Sequence, residues 1–241
     1  MKTFLNKLKP FLFVAELYVV LSLILRLICM FHPITTASFS VGDVLQMLLV
    51  GTLADVLTII LATSTLVLYI LFIANVKYQK PYGYMLFGGF LLLLSYVLFY
   101  PNNIFEQYGG SFPEVALAFF GVKALCFTLL LFLPRYRTQL RNVLYFITLF
   151  IYVFAVLMNA VSEYFFWNEF GIRYNFIAVD YLIYTNEVIG NIMESYPVVP
   201  LFSAVFVVVL SFTIFGYLKT KEVLKHIPTL KQKVGYLLVY A

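Results

Sequence analysis

Arg26, Asp55 and Lys123 are the first residues whose positions demand a reason, because each stands inside an otherwise apolar run. An ionised side chain in bilayer hydrocarbon is strongly disfavoured unless it is paired or hydrated. Glu16 shares a run with Arg26 and is expected to reach the nearer membrane surface. That leaves Arg26 in the opposite half, where Asp55 of the next run is the partner in reach. Two readings stay open: a structural Arg26–Asp55 pair, or a polar cavity admitting a lipid headgroup, which Lys123 would join.

A second constellation lies between Glu163 and Pro197. At about 100° per residue, Asp180, Glu187, Asn191 and Glu194 fall within roughly 60° of one another on a helical wheel. Tyr181, Leu182, Val188, Ile189, Ile192 and Met193 take the opposite face. This pattern predicts an amphipathic helix lying on a membrane surface or on the tops of the spans, with Pro197 and Pro200 ending it. Ahead of it, "EYFFWNEFGIRYNF" interleaves aromatic rings with Glu163, Glu169, Arg173 and Asn175, a composition favoured at the headgroup level. The polar residues are either a solvated face over an aromatic belt, with Arg173 pairing a nearby carboxylate, or a docking platform. In the second case Arg173 would hold a lipid phosphate in a bidentate contact. A carboxylate stripe is also chemistry for a divalent ion, but without further ligands it is expected to be simply hydrated.

Soluble-enzyme chemistry is not spelled out anywhere. His32 and His226 fall in connections on opposite sides of the membrane, and Cys29 and Cys126 sit in apolar runs where a thiol behaves as a small hydrophobe. Neither pair has metal-ligand spacing. There is no P-loop, dinucleotide fingerprint or nucleophile elbow. The Phe87–Gly89 and Tyr108–Gly110 stretches read as helix packing and a loop turn.

The elements that must hold these residues follow from composition. The chain is 63% hydrophobic and 11% charged, which is far from soluble globular averages. Apolar runs of about 17–25 residues suit helices crossing a hydrocarbon layer of roughly 30 Å. The expected fold is an all-α polytopic transmembrane helix bundle with an extracytoplasmic amphipathic helix. The expected spans are Phe11–Phe31, Leu48–Asn75, Met85–Tyr100, Val115–Leu133, Val143–Ser162 and Leu201–Leu218, plus the start of a seventh at Gly235–Ala241. By region, 1–162 holds helices one to five, 163–198 the connector, 199–218 helix six, 219–233 a basic loop and 234–241 the truncated seventh helix.

Charge sets the expected orientation. Lys2, Lys7 and Lys9, Lys77 and Lys80, Arg135, Arg137 and Arg141, and the Lys219–Lys233 cluster fall in alternate connections, with Glu222 the only acid among them. The other connections carry Asp43, Glu106, Glu114, Glu163, Glu169, Asp180, Glu187 and Glu194 against the single Arg173. Basic connections stay cytoplasmic, so the N-terminus is expected inside and 163–198 outside, in a bacterial inner membrane. The net charge of +5 reflects this asymmetry and gives no sign of nucleic-acid binding.

The stretch "RYNFIAVDYLIYTNEVIGNIMESYP", Arg173–Pro197, resembles the segment before the last membrane helices of lipoteichoic acid synthase family proteins, sulfatase-like phosphoglycerol transferases of the alkaline phosphatase superfamily, especially their Bacteroidetes type. With helix order included, the resemblance covers essentially the whole chain and corresponds to the N-terminal membrane domain. It implies a following extracytoplasmic catalytic domain, with a threonine nucleophile and a divalent metal (Mn or Mg), that transfers phosphoglycerol from a phosphatidylglycerol-type lipid. No cofactor and no catalytic residue are assigned to this chain, so whether it is itself an enzyme stays open. The residues matching the membrane-side motif are Arg173, Asn175, Phe176, Asp180, Tyr181, Tyr184, Glu187, Asn191, Glu194 and Pro197. The resemblance makes them candidates for lipid-headgroup binding or for docking the outer domain. Six spans and a start depart from the five of the familiar family members, and a seventh crossing would place the catalytic domain outside. The alternative is a stand-alone polytopic transporter or lipid-handling protein.

Overall fold

The computed structural model describes residues 2–35, 38–73, 75–107, 112–174, 190, 193–194, 196–225 and 229–240, without the side chains of 2–6, 76, 230 and 239. Among them there is no strand. The helices are α1 (Lys2–Met30), α2 (Val41–Leu71), α3 (Tyr82–Phe99), the short α4 (Ile104–Gln107), α5 (Phe112–Phe132), α6 (Arg137–Phe170), α7 (Val198–Thr220) and α8 (Leu230–Tyr240). Among the described residues six helices, α1, α2, α3, α5, α6 and α7, are long and apolar enough to cross a membrane. Helices are the form such segments must take, since in lipid each backbone group has to find its partner within the segment. Their surfaces agree: the α2 span has a hydropathy of 2.2, yet only 11% of its most apolar window is buried within the protein. The chain is an all-α multi-pass helix bundle.

Local signals explain where the helices begin. Ser40 and Asp43 form a reciprocal cap, the Ser40 hydroxyl accepting the Asp43 N–H at 3.2 Å and the Asp43 carboxylate accepting the Ser40 N–H at 2.9 Å. Helix α2 therefore opens at Val41, ahead of the expected Leu48. Pro113 and Pro200 stand in the first turns of α5 and α7, where a missing N–H leaves no helical bond unmade.

The chain divides into two compact units, one of residues 1–72 with 145–241 and the other of residues 73–144. In the first, Val14 of α1, Leu66 and Ile70 of α2, Leu149 and Val153 of α6 and Val209 of α7 are fully or almost fully buried in one core. Gly216 lets α7 approach α1 closely, because any Cβ there would overlap the Phe13 ring. Nearby, the Tyr145 hydroxyl meets Thr220 Oγ1 at 2.5 Å, and Thr220 donates back to the Gly216 carbonyl at 2.6 Å. These two buried hydroxyls thus satisfy one another and the helix backbone.

In the second unit, Tyr78, Phe127, Leu130 and Leu131 form the core, with Phe87 and Phe90 packed against it. Arg137 caps the end of α5, its Nε donating to the Leu130 carbonyl at 2.6 Å and Nη2 to the Leu131 carbonyl at 3.2 Å. Gly88 and Gly89 are expected to permit close helix packing, but among the described residues a Cβ at either would meet no atom within 4 Å, so no close contact there depends on them. Tyr108–Gly110 lies outside the described residues.

Helix α6 also differs from expectation. It runs on to Phe170, so Glu163, Trp167 and Glu169, placed in the connector by their composition, belong to its last turns. Gly171 stops it: at φ 66 it takes the left-handed conformation that glycine adopts without strain, and its N–H reaches back to the Trp167 carbonyl at 2.8 Å.

Candidate functional site: two ion pairs and a pinned segment

The polar residues of the first unit gather on α1, α2 and the end of α6. Tyr18, Ser22 and Arg26 recur every fourth residue and so share one stripe of α1. Gly51 and Asp55 stand in the same relation on α2. The Arg26 guanidinium lies across Gly51, with Nη2 donating to the Gly51 carbonyl at 2.7 Å and to Asp55 Oδ2 at 2.6 Å. Arg26 and Asp55 are 3% and 5% exposed, so the pair is sealed from the surroundings. A Cβ at position 51 would stand 2.5 Å from Arg26 Cζ, so the guanidinium would have to shift from where it lies. Of the two sequence readings, the structural pair is the one seen.

A second pair follows from the turn at Gly171. By ending α6 in a left-handed residue, the chain swings back and brings Arg173 Nε onto Glu163 Oε1. The Glu163 side chain is 6% exposed and that of Arg173 40%. Burial pulls the Arg173 pKa down, but the hydrogen bond and charge of Glu163 outweigh it, so the net shift is upward and the guanidinium stays cationic. Tyr18 is within electrostatic reach of Asp55, Glu163, Arg173 and Arg26, so both pairs border one polar neighbourhood. Ser22 Oγ, Arg26 Nη1 and Trp167 Nε1 are buried without a hydrogen-bond partner among the described residues.

The two ends of the segment that carries the family resemblance both rest on α6. At its start the Tyr174 ring packs 5.1 Å from Phe166, and burial pushes the Tyr174 pKa up. At its end the Tyr196 hydroxyl donates to Glu169 Oε1 at 2.6 Å and its ring lies 4.7 Å from Phe165. That carboxylate raises the Tyr196 pKa. Glu194 is exposed. Asn175, Phe176, Asp180, Tyr181, Tyr184, Glu187 and Asn191, and with them the expected amphipathic helix, lie outside the described residues.

Lys123 corrects an expectation. It is exposed on α5 in the second unit, with Nζ 5.5 Å from the centroid of the Phe119 ring, and does not line a polar cavity there. A lysine stem can lie along apolar surface with its head turned toward the interface, which is how such a residue is tolerated. Glu16 is exposed and 4.0 Å from Lys219 Nζ, as its expected reach to the surface requires. His32 packs edge-on to Tyr164, and its Nδ1 accepts the Ile34 N–H at 3.3 Å. No group of three or more His, Cys, Asp or Glu among the described residues has the makings of a metal site.

The partner of Arg173 was only half visible in the sequence. Its ten-residue distance from Glu163, with a glycine between as a helix terminator, is the signal that would have named it. Comparison with known proteins finds no matching family model, no matching curated protein and no matching solved structure. Fold and site together define an all-α, multi-pass membrane protein with a buried Arg26–Asp55 pair between two of its spans.

Proposed function

We propose that the chain is the membrane domain of a lipoteichoic acid synthase-like phosphoglycerol transferase or sulfatase-type protein. In this reading it holds an extracytoplasmic, metal-dependent catalytic domain at the membrane and presents a phosphatidylglycerol-type lipid to it. The observation that carries the proposal is the pinning of the motif segment at both ends. Arg173 and Tyr196, at the two limits of the stretch that resembles the family, are each tied to a carboxylate on the last turns of α6. Support at the two ends of a segment is what its use in docking a second domain requires. In this reading manganese or magnesium belongs to the outer domain, as the family resemblance implies.

The proposal requires the basic connections on the cytoplasmic side of a bacterial inner membrane and 163–197 on the other. Alkaline phosphatase fused after residue 180 should be active and after residue 140 inactive, with green fluorescent protein fusions giving the reverse. Phosphatase activity at 140 with fluorescence at 180 would turn the protein over and remove the platform from the side where the catalytic domain has to stand.

A further inference from the structure

Lys77 and Tyr78 lie in a short 3-10 turn, Val76–Tyr78, ahead of α3, and Arg137 and Arg141 stand one turn apart at the start of α6. The second unit brings all four together. The Tyr78 ring is buried against Phe127, their centroids 5.3 Å apart, beside Leu130 and Leu131. Over that ring converge the guanidinium carbons of Arg137 and Arg141, 5.0 and 5.6 Å from its centroid, and Lys77 Nζ at 5.3 Å. Arg137 donates to the Leu130 and Leu131 carbonyls and Arg141 Nη2 to Asn75 Oδ1 at 2.7 Å, neutral acceptors that orient the guanidiniums without cancelling their charge. Tyr78 adds no charge either: burial pushes its pKa up, against the pull of Arg141 and Arg137, so the phenol stays neutral.

Charge in this unit is segregated by end. Lys77, Lys80, Arg135, Arg137 and Arg141 stand where α3 begins and α5 ends, whereas its two acids, Glu106 and Glu114, belong to α4 and the first turn of α5. The 21 residues of α5 rise roughly 30 Å, so those carboxylates stand at the other end of the span. Orientation in a membrane asks only that a connection be basic. It gives no reason for three mutually repelling cations to share one ring. Beside the cluster the surface turns apolar: Lys80 Nζ lies 5.5 Å from the Tyr84 centroid, and Tyr84 meets Phe132 edge-on at 6.2 Å, both rings exposed. Cations with an adjoining exposed apolar strip are complementary to an anion that carries hydrocarbon.

We propose that the face around Tyr78 is a headgroup site for an anionic phospholipid of the leaflet it meets, with Lys77, Arg137 and Arg141 around the phosphate and an acyl chain along Tyr84 and Phe132. Guanidinium forks and an ammonium suit phosphate oxygens, and basic residues at the ends of membrane helices stand at headgroup depth. The lipid phosphate supplies negative charge at the end of the unit where its own acids do not stand. The site is built within residues 73–144 and does not depend on the membrane-domain reading. In the topology proposed above it meets the cytoplasmic leaflet, away from the motif segment.

Binding of fluorescent phosphatidylglycerol to the purified full chain in detergent micelles, read by anisotropy, tests it. Unlabelled phosphatidylglycerol should displace the probe, phosphatidylcholine should do so far less well, and millimolar inorganic phosphate should leave it bound. Lys77→Gln with Arg141→Gln should weaken binding roughly tenfold or more, since each basic residue near a lipid surface is worth about fivefold. Lys221→Gln with Lys231→Gln, an equal loss of charge from exposed lysines of the first unit, should leave it nearly unchanged. A second measurement needs no variant and decides even where a double variant fails to fold. Phosphatidylglycerol with a photoreactive acyl chain should label peptides from 77–86 and 132–141 of the unaltered chain several-fold more than phosphatidylcholine with the same chain. Equal displacement by the two lipids, equal loss in the two double variants, displacement by phosphate alone, or labelling confined to other peptides would each overturn the proposal. These readouts are blind to phosphoryl transfer, so their failure leaves the membrane-domain reading to its own tests.

Discussion

Asp55→Leu should cost about 3–5 kcal/mol of stability, because it leaves a guanidinium buried in the bundle with no counter-ion. Arg26 has nowhere to go: it is 3% exposed, lies over Gly51, and already has one amino group, Nη1, without a partner among the described residues. Arg26→Leu should be damaging for the mirror reason, stranding a carboxylate that is 5% exposed. The double change Arg26→Leu with Asp55→Leu should recover a substantial part of either loss, since removing both charges also removes their desolvation penalty. Gly51→Ala adds an independent arm, because its Cβ would displace the guanidinium while leaving both charges in place. Unfolding of the purified protein in bicelles, followed by helical circular dichroism, reads all four variants. Strictly additive single losses would mean that the two residues do not act as a pair.

The second large effect is a complete absence of activity. A phosphoglycerol transferase of the kind proposed requires an activated hydroxyl, metal held by carboxylates and histidines, and a leaving group aligned with the attack. The described carboxylates nearest the polar neighbourhood, Asp55 and Glu163, are each committed to an arginine. His32, the histidine on the same side as the motif segment in the proposed topology, packs against Tyr164. The purified 241-residue chain, given manganese and fluorescent phosphatidylglycerol, should therefore release no diacylglycerol above the protein-free rate. Metal-dependent release would place chemistry in this chain and overturn the division between anchor and catalyst.

The parts of this fold that the sequence made legible are those that the bilayer dictates. Six spans could be read because hydrocarbon tolerates only long apolar helices. The Arg26–Asp55 pair could be read because lone opposite charges at similar depth have strong reason to meet. Helix ends were less legible where composition and conformation diverge. The Glu163–Phe170 stretch looks like an interfacial belt, yet its aromatic and acidic residues are compatible with helix, and only Gly171 ends it. The Ser40-x-x-Asp43 cap was available in the sequence and marks the start of α2, but the apolar run that draws the eye begins later. Lys123 shows the limit of one-dimensional reading. Its depth in the span is plain from the sequence, but which side of α5 is covered depends on neighbouring helices, and its own face is open. For the motif segment, the far end rests on the Tyr196–Glu169 contact, which spans 27 residues and which no local pattern encodes.

The most direct test of the central claim is the size of the protein in its native membrane. An antibody raised against the Lys219–Lys233 stretch, used on a denaturing gel of source membranes, should detect a species far heavier than 27.8 kDa, carrying the outer catalytic domain beyond the bundle. A single intact species at 27.8 kDa would contradict the account and favour a stand-alone transporter or lipid-handling protein.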